Sequence, residues 1–174
     1  VLLMAVTAAV PAHLVSLLRE SGLPPAWAIW LPASIGVLQV AGRLGLYLGE
    51  RRLDVHAVNR WVPVAVLAGL AALLAGLLLG RGQAAAALLF VALFGVGNGM
   101  LTIVKGTAVA QYVSRRHVGA LNGALGLPQA LARAGLPLAV GLLWSPARGY
   151  TLGVALLLVL TLAGVAALWQ AQRL

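Results

Sequence analysis

Six apolar runs follow one another through nearly the whole chain: Val1 to Leu18, Ala26 to Leu48, Val62 to Gly80, Ala84 to about Val113, Val118 to about Leu143, and Tyr150 to Ala171. A helix rises 1.5 Å per residue, so about 20 such residues cross a hydrocarbon core. Lipid offers no partner to an open backbone, and each run is therefore expected to be a helix. Composition agrees: of 174 residues 62% are hydrophobic and only 9% charged, with mean hydropathy +1.01, whereas soluble domains are roughly a quarter charged. The chain reads as an all-α membrane protein whose six transmembrane helices have the lipid bilayer as their first partner. The breaks carry turn chemistry: SGLPP at 21–25, RGQ at 81–83 and SPARG at 145–149.

Net charge is +9, from twelve bases and three acids. The bases lie mostly between apolar blocks and do not gather on one soluble face, which excludes a nucleic-acid partner. There is no cysteine, hence no disulfide framework, thiolate metal site or cysteine nucleophile. The opening run has no basic leader, so it is expected to be a clipped first helix and not a signal peptide. Arg51, Arg52, Arg60, Arg115, Arg116 and Arg173 fall on one side of a six-span arrangement, and Arg19, Arg81 and Arg148 on the other. The excess marks the first side as cytoplasmic, with both ends of the segment there. Trp27, Trp30, Trp61, Trp144 and Trp169 fall near run ends and read as interfacial anchors.

Within the second run, SIGVLQVAGRLGLYL (34–48) is echoed ninety residues later by ALGLPQALARAGLPL (124–138). The matches include Gly36/Gly126, Gln39/Gln129, Arg43/Arg133 and Gly45/Gly135. Three helices separate equivalent points, so the second copy enters the membrane in the opposite sense. That predicts an inverted 3+3 repeat, residues 1–81 against 82–174, about a pseudo-twofold in the membrane plane. Arg43 lies 17 residues after Ala26 and Arg133 the same count after Arg116, about 25 Å from opposite faces at 1.5 Å per residue. An embedded guanidinium is costly and normally faces protein or water, so both are expected to point away from lipid.

The fourth run carries FGVGNGMLTIVKG (94–106), where Gly95, Gly97 and Gly99 around Asn98 suit close helix approach. Lys105 either snorkels to the interface or faces a cavity. His13 could relay a proton near neutral pH, or simply sit at the outer interface. Pro128 and Pro137 interrupt the ladder of the fifth helix. The third and sixth runs hold no ionisable residue between their ends and read as lipid-facing all round, a buttress behind a cavity lined by the first, second, fourth and fifth helices.

Glu20, Glu50 and Asp54 are the only acids, and all are placed in loops. Three embedded cations without an embedded anion point to an anionic small-molecule substrate. A membrane enzyme would need a nucleophile and base, or metal ligands, converging at depth, yet His13, His56 and His117 lie near different loops or ends. No catalytic residue, metal or cofactor is implied. An anion-handling membrane protein and a six-helix structural or accessory subunit without transport activity of its own are the readings left.

Two stretches carry a family resemblance. HLVSLLRESGLPPAWAIWLPASIGVLQVAGRLG (13–45) is similar to the seventh-to-eighth helix region of bacterial major facilitator superfamily transporters, including the monocarboxylate and oxalate/formate types. KGTAVAQYVSRRHVGALNGALGLPQALARAGLPLAVG (105–141) is similar to their tenth-to-eleventh region. The resemblance implies the C-terminal half of a twelve-helix secondary transporter in a bacterial cytoplasmic membrane. It also implies a missing N-terminal six-helix half as partner, and alternating access for a small organic anion. Arg43 falls where the family's organic-anion carriers place an arginine on the substrate carboxylate, while Arg133 is carried by the repeat alone. Arg133, Lys105, Gln39, Gln129 and Asn98 are then candidate wall residues, with His13 as a possible proton relay. The loop GLYLGERR (45–52) departs from the family pattern: Glu50 is displaced and no aspartate precedes the basic pair.

Overall fold

A computed structural model describes residues 1–49, 54–113 and 116–173. Arg51, Arg52 and Arg115, which enter the loop-charge argument, and Glu50, placed in a loop, lie outside the described residues. The described chain forms six helices: α1 (Leu2–Glu20), α2 (Pro25–Gly49), α3 (Val55–Leu79), α4 (Gln83–Tyr112), α5 (Val118–Leu142) and α6 (Thr151–Ala171). All six are long and apolar enough to cross a membrane.

Local chemistry sets the helix ends. Pro25 opens α2 at the position where its missing N–H costs nothing. Asp54 caps α3, its carboxylate accepting from His56 N and Ala57 N at 3.3 Å each. This cap starts α3 at Val55, ahead of the Val62 expected from hydropathy. The polar segment HAVNRW hides two helical turns whose Asn59 is buried. Glu20 is likewise the last residue of α1 and not a loop residue. At the opposite end of α3, Gly80 adopts φ 62° and closes the helix with its N–H on Gly76 O.

Polar cross-links and close approaches give the helix directions. His13 and Glu20 of α1 bond to Pro137 and Trp144 in and just beyond α5, so α1 and α5 run parallel. Gly95 meets Leu38 and Gly99 meets Gln39, so α2 and α4 are also parallel. Gly76 against Ala86 and Gly97 against Val66 make α3 antiparallel to α4. Gly153 against Val140 and Gly164 against Leu3 make α6 antiparallel to α5 and α1. Arg60, Arg116 and Arg173 therefore share one end of the bundle, and Arg19, Arg81 and Arg148 the other.

Helix α4 packs most closely, along α2 and α3, while α1 lies on α5 and α6; α3 meets α6, and α4 touches α5 only sparsely. The core contains stacked Phe90 and Phe94, with ring centroids 5.1 Å apart, together with Val66, Leu70, Leu14 and Leu18. The reading of α3 and α6 as lipid-facing all round is corrected here. Val62, Val66, Leu70 and Leu73 form a buried stripe on α3, and Val154, Leu157, Thr161 and Val165 one on α6. Because almost every residue of these helices is apolar, the periodicity that marks a buried face is absent from their sequences. Thr161, fully buried, is satisfied locally by donating to Leu157 O at 2.7 Å.

Candidate functional site

Polar residues at helical spacing form stripes on three helices: Gln39 and Arg43 on α2, Asn98, Thr102 and Lys105 on α4, and Asn122, Gln129 and Arg133 on α5. Helix α4 stands between the other two stripes. On its α2 side the backbones touch. Gly99 lies directly against Gln39 O, and a Cβ at Gly42 would stand 2.6 Å from Val96 O. Gly99 O accepts from Thr102 Oγ1 at 2.7 Å and from Arg43 Nε at 3.4 Å. The arginine itself is exposed, while Gln39 and Asn98 beside the crossing are half-buried. Among the described residues Arg43 is thus tethered by one long bond, and its side chain is exposed.

On the α5 side, Lys105 and Gln129 line a cavity of about 200 Å³ together with Asn122, Leu101, Val104 and Leu125. Its remaining walls come from α1 and α6, through Met4 and Leu168. Among the described residues, the lining of this cavity comes from α1, α4, α5 and α6. An ammonium and two carboxamides facing apolar walls offer donors to an anion and room for a short hydrocarbon chain. Lys105 is exposed and lies six residues beyond Gly99, about 9 Å further along α4.

The structure brings Lys105 and Gln129 together and sets Gln39, Arg43 and Asn98 around the Gly99 crossing. Arg133 is exposed on α5, one turn beyond Gln129 toward the opposite end of the bundle. His13 is not with these residues. Its Nε2 bonds Pro137 O at 2.8 Å, and its ring lies 5.4 Å from that of Tyr150, joining α1, α5 and the start of α6. A carbonyl oxygen only accepts, so Nε2 carries the proton in this bond. Two turns further, Trp144 Nε1 donates to both carboxylate oxygens of Glu20 at 3.0 Å. His13→Phe is expected to loosen this α1–α5 seam by about 1 kcal/mol, read as a lowered melting temperature in detergent; unchanged melting would show that the bond carries no weight.

Asn122 is the cavity residue that sequence reasoning missed. Its ninety-residue counterpart is Pro32, so the repeat gave no signal for it. Its place on the same face as Gln129, seven residues away, was the available clue.

Compared with protein-family models, with curated proteins and with solved structures, the chain matches none of them.

Proposed function

We propose that the chain is one six-helix half of a secondary active transporter that carries a small organic anion across a membrane by alternating access. The observation that carries this reading is the surface placed on α2 and α5. Gly36, Gly45, Gly126 and Gly135, the glycines paired by the repeat, have no atom within 4 Å of the position a Cβ would take. Arg43 and Arg133 are exposed on the same helix faces as Gly36 and Gly126, two turns on, while Gly45 and Gly135 stand about half a turn round the helix from them. Acyl chains have no need of glycine, whereas small residues let a second helix come close. Open glycines flanking arginines suit a protein partner and a polar path between the two bodies, which is the role of the missing six-helix half.

The neighbour pattern supports the inverted repeat. Exchanging α1–α3 with α4–α6 turns the α2–α4 pair into α5–α1 and the α3–α4 pair into α6–α1, and leaves α3–α6 on itself; every one of these pairs is in contact. The parallel and antiparallel senses are kept as well. On this reading Arg43, Arg133 and Lys105 attract the anion, with Gln39, Gln129, Asn98 and Asn122 as hydrogen-bonding walls.

The test is counterflow of labelled short-chain mono- and dicarboxylates into proteoliposomes holding the protein as its gene encodes it. Saturable exchange is expected. Changing Gly36 and Gly126 to leucine is expected to abolish that exchange while the protein still inserts and purifies as a monodisperse species. No exchange of any anion by folded protein would leave the accessory-subunit reading in its place.

A further inference from the structure

The end of the bundle that carries Arg60 and Arg173 holds a second cavity, which shares no lining residue with the Lys105 cavity and is unused by the carrier reading. It has a volume of about 360 Å³ and lies between the start of α3 and the end of α6, lined by Asp54, His56, Arg60, Trp61, Trp169 and Arg173. Arg60 stacks over the Trp169 ring at 5.0 Å, and Trp169 Nε1 donates to Arg60 O at 3.3 Å, so cation and indole hold one another in place. Stacking uses the face of a guanidinium, while its five N–H donors lie in the plane and match phosphate geometry. The acid in the cavity, Asp54, is engaged by two backbone N–H groups at the α3 N-terminus. Among the described residues two arginines stand against this one carboxylate, which leaves the lining net positive.

An apolar track leads away from it. Trp169, Ala166, Leu162 and Val159 share one face of α6 at helical spacing, and Leu162 and Val159 are 55% and 61% exposed. A cationic, indole-walled cavity at a helix end, continued along the helix by open hydrocarbon, has the form of a phospholipid: headgroup phosphate above, acyl chain below. The orientation read from the basic loops places this end at the cytoplasmic leaflet, where anionic lipid is enriched.

We propose that the α3–α6 end cavity binds the headgroup of an anionic glycerophospholipid, with Arg60 and Arg173 on the phosphate and the α6 track under an acyl chain. Native mass spectrometry of the detergent-purified full chain, titrated with dioleoyl phosphatidylglycerol or dioleoyl phosphatidylcholine, tests this. Phosphatidylglycerol is expected to bind more tightly. That preference should fall roughly fivefold in Arg173→Gln and about twenty-five-fold in the Arg60→Gln/Arg173→Gln double variant, as about 1 kcal/mol per basic residue near an anionic headgroup implies. Glycerol 1-phosphate at millimolar concentration is expected not to displace the lipid. Equal binding of the two lipids, or full preference retained in Arg173→Gln, would overturn the proposal. Complete displacement by glycerol 1-phosphate would overturn it in favour of a site for a free phosphate. Arg173 follows the last helix and is exposed, so its variant decides the matter even if the double variant fails to fold.

Discussion

Gly99→Val is expected to destabilise the bundle by about 3 kcal/mol, seen as a large fall in melting temperature and loss of a monodisperse species in detergent. Gly99 faces the backbone of Gln39, and Gly42, on the opposite side of the same crossing, faces the backbone of Val96. Neither neighbour is the flexible end of a side chain, so an added branched side chain must drive α2 and α4 apart along their length. In a membrane this loss is not recovered by burial elsewhere. Helix association there comes from close van der Waals contact and interhelical bonds, which require the short separation glycine allows. Separation would also remove the Arg43 bond to Gly99 O. Gly106→Ala on the same helix is the control: nothing lies within 4 Å of its Cβ position, and alanine gains up to about 1 kcal/mol of helix propensity over glycine. A Gly99→Val protein that melts with the parent would mean that the crossing is looser than the structure has it.

On the proposed carrier reading, Arg43→Gln is expected to leave insertion and folding intact and to reduce anion uptake roughly 30-fold or more. That is the scale of losing a charged partner in a desolvated contact, about 2–5 kcal/mol. The asymmetry between the two effects follows from geometry. Among the described residues Arg43 makes a single bond of 3.4 Å from an exposed position, which contributes little to stability. Its remaining donors are available to a ligand. Uptake of labelled anion into proteoliposomes, compared at equal amounts of folded protein, measures the effect. Normal uptake would remove Arg43 from the site, and loss of folding along with uptake would make it a packing residue.

The two variants mark what the sequence made legible and what it did not. Six helices were readable because each apolar run is long enough to cross a bilayer and all but the last is followed within three residues by Gly or Ser; most ends fall within two residues of expectation. The start of α3 was not, since a side-chain cap at Asp54 and the buried Asn59 extend that helix into a polar segment. The inner faces of α3 and α6 were invisible for the opposite reason, in that uniformly apolar helices carry no contrast. Among candidate site residues, the ninety-residue echo singled out Gln39, Arg43, Gln129 and Arg133. It said nothing of Asn122, which has no polar counterpart, or of the partnership of Lys105 with Gln129 across α4 and α5. Arg60 and Trp169 read separately as a loop charge and an interfacial anchor; only the fold puts one over the other.

The way the helices are grouped bears on how the chain is made. Helix α4 belongs spatially with α2 and α3, and α1 with α5 and α6, so the first helix of each triplet packs into the other triplet. Neither triplet has its full set of neighbours until the other has been synthesised. Helix α1 is complete at Glu20, but its main partner α5 ends only at Leu142. At 5–20 residues per second that is a wait of roughly 6–24 s. During that interval the α1 surface that will receive α5, including His13, is covered by lipid or by the insertion machinery and not by its own fold.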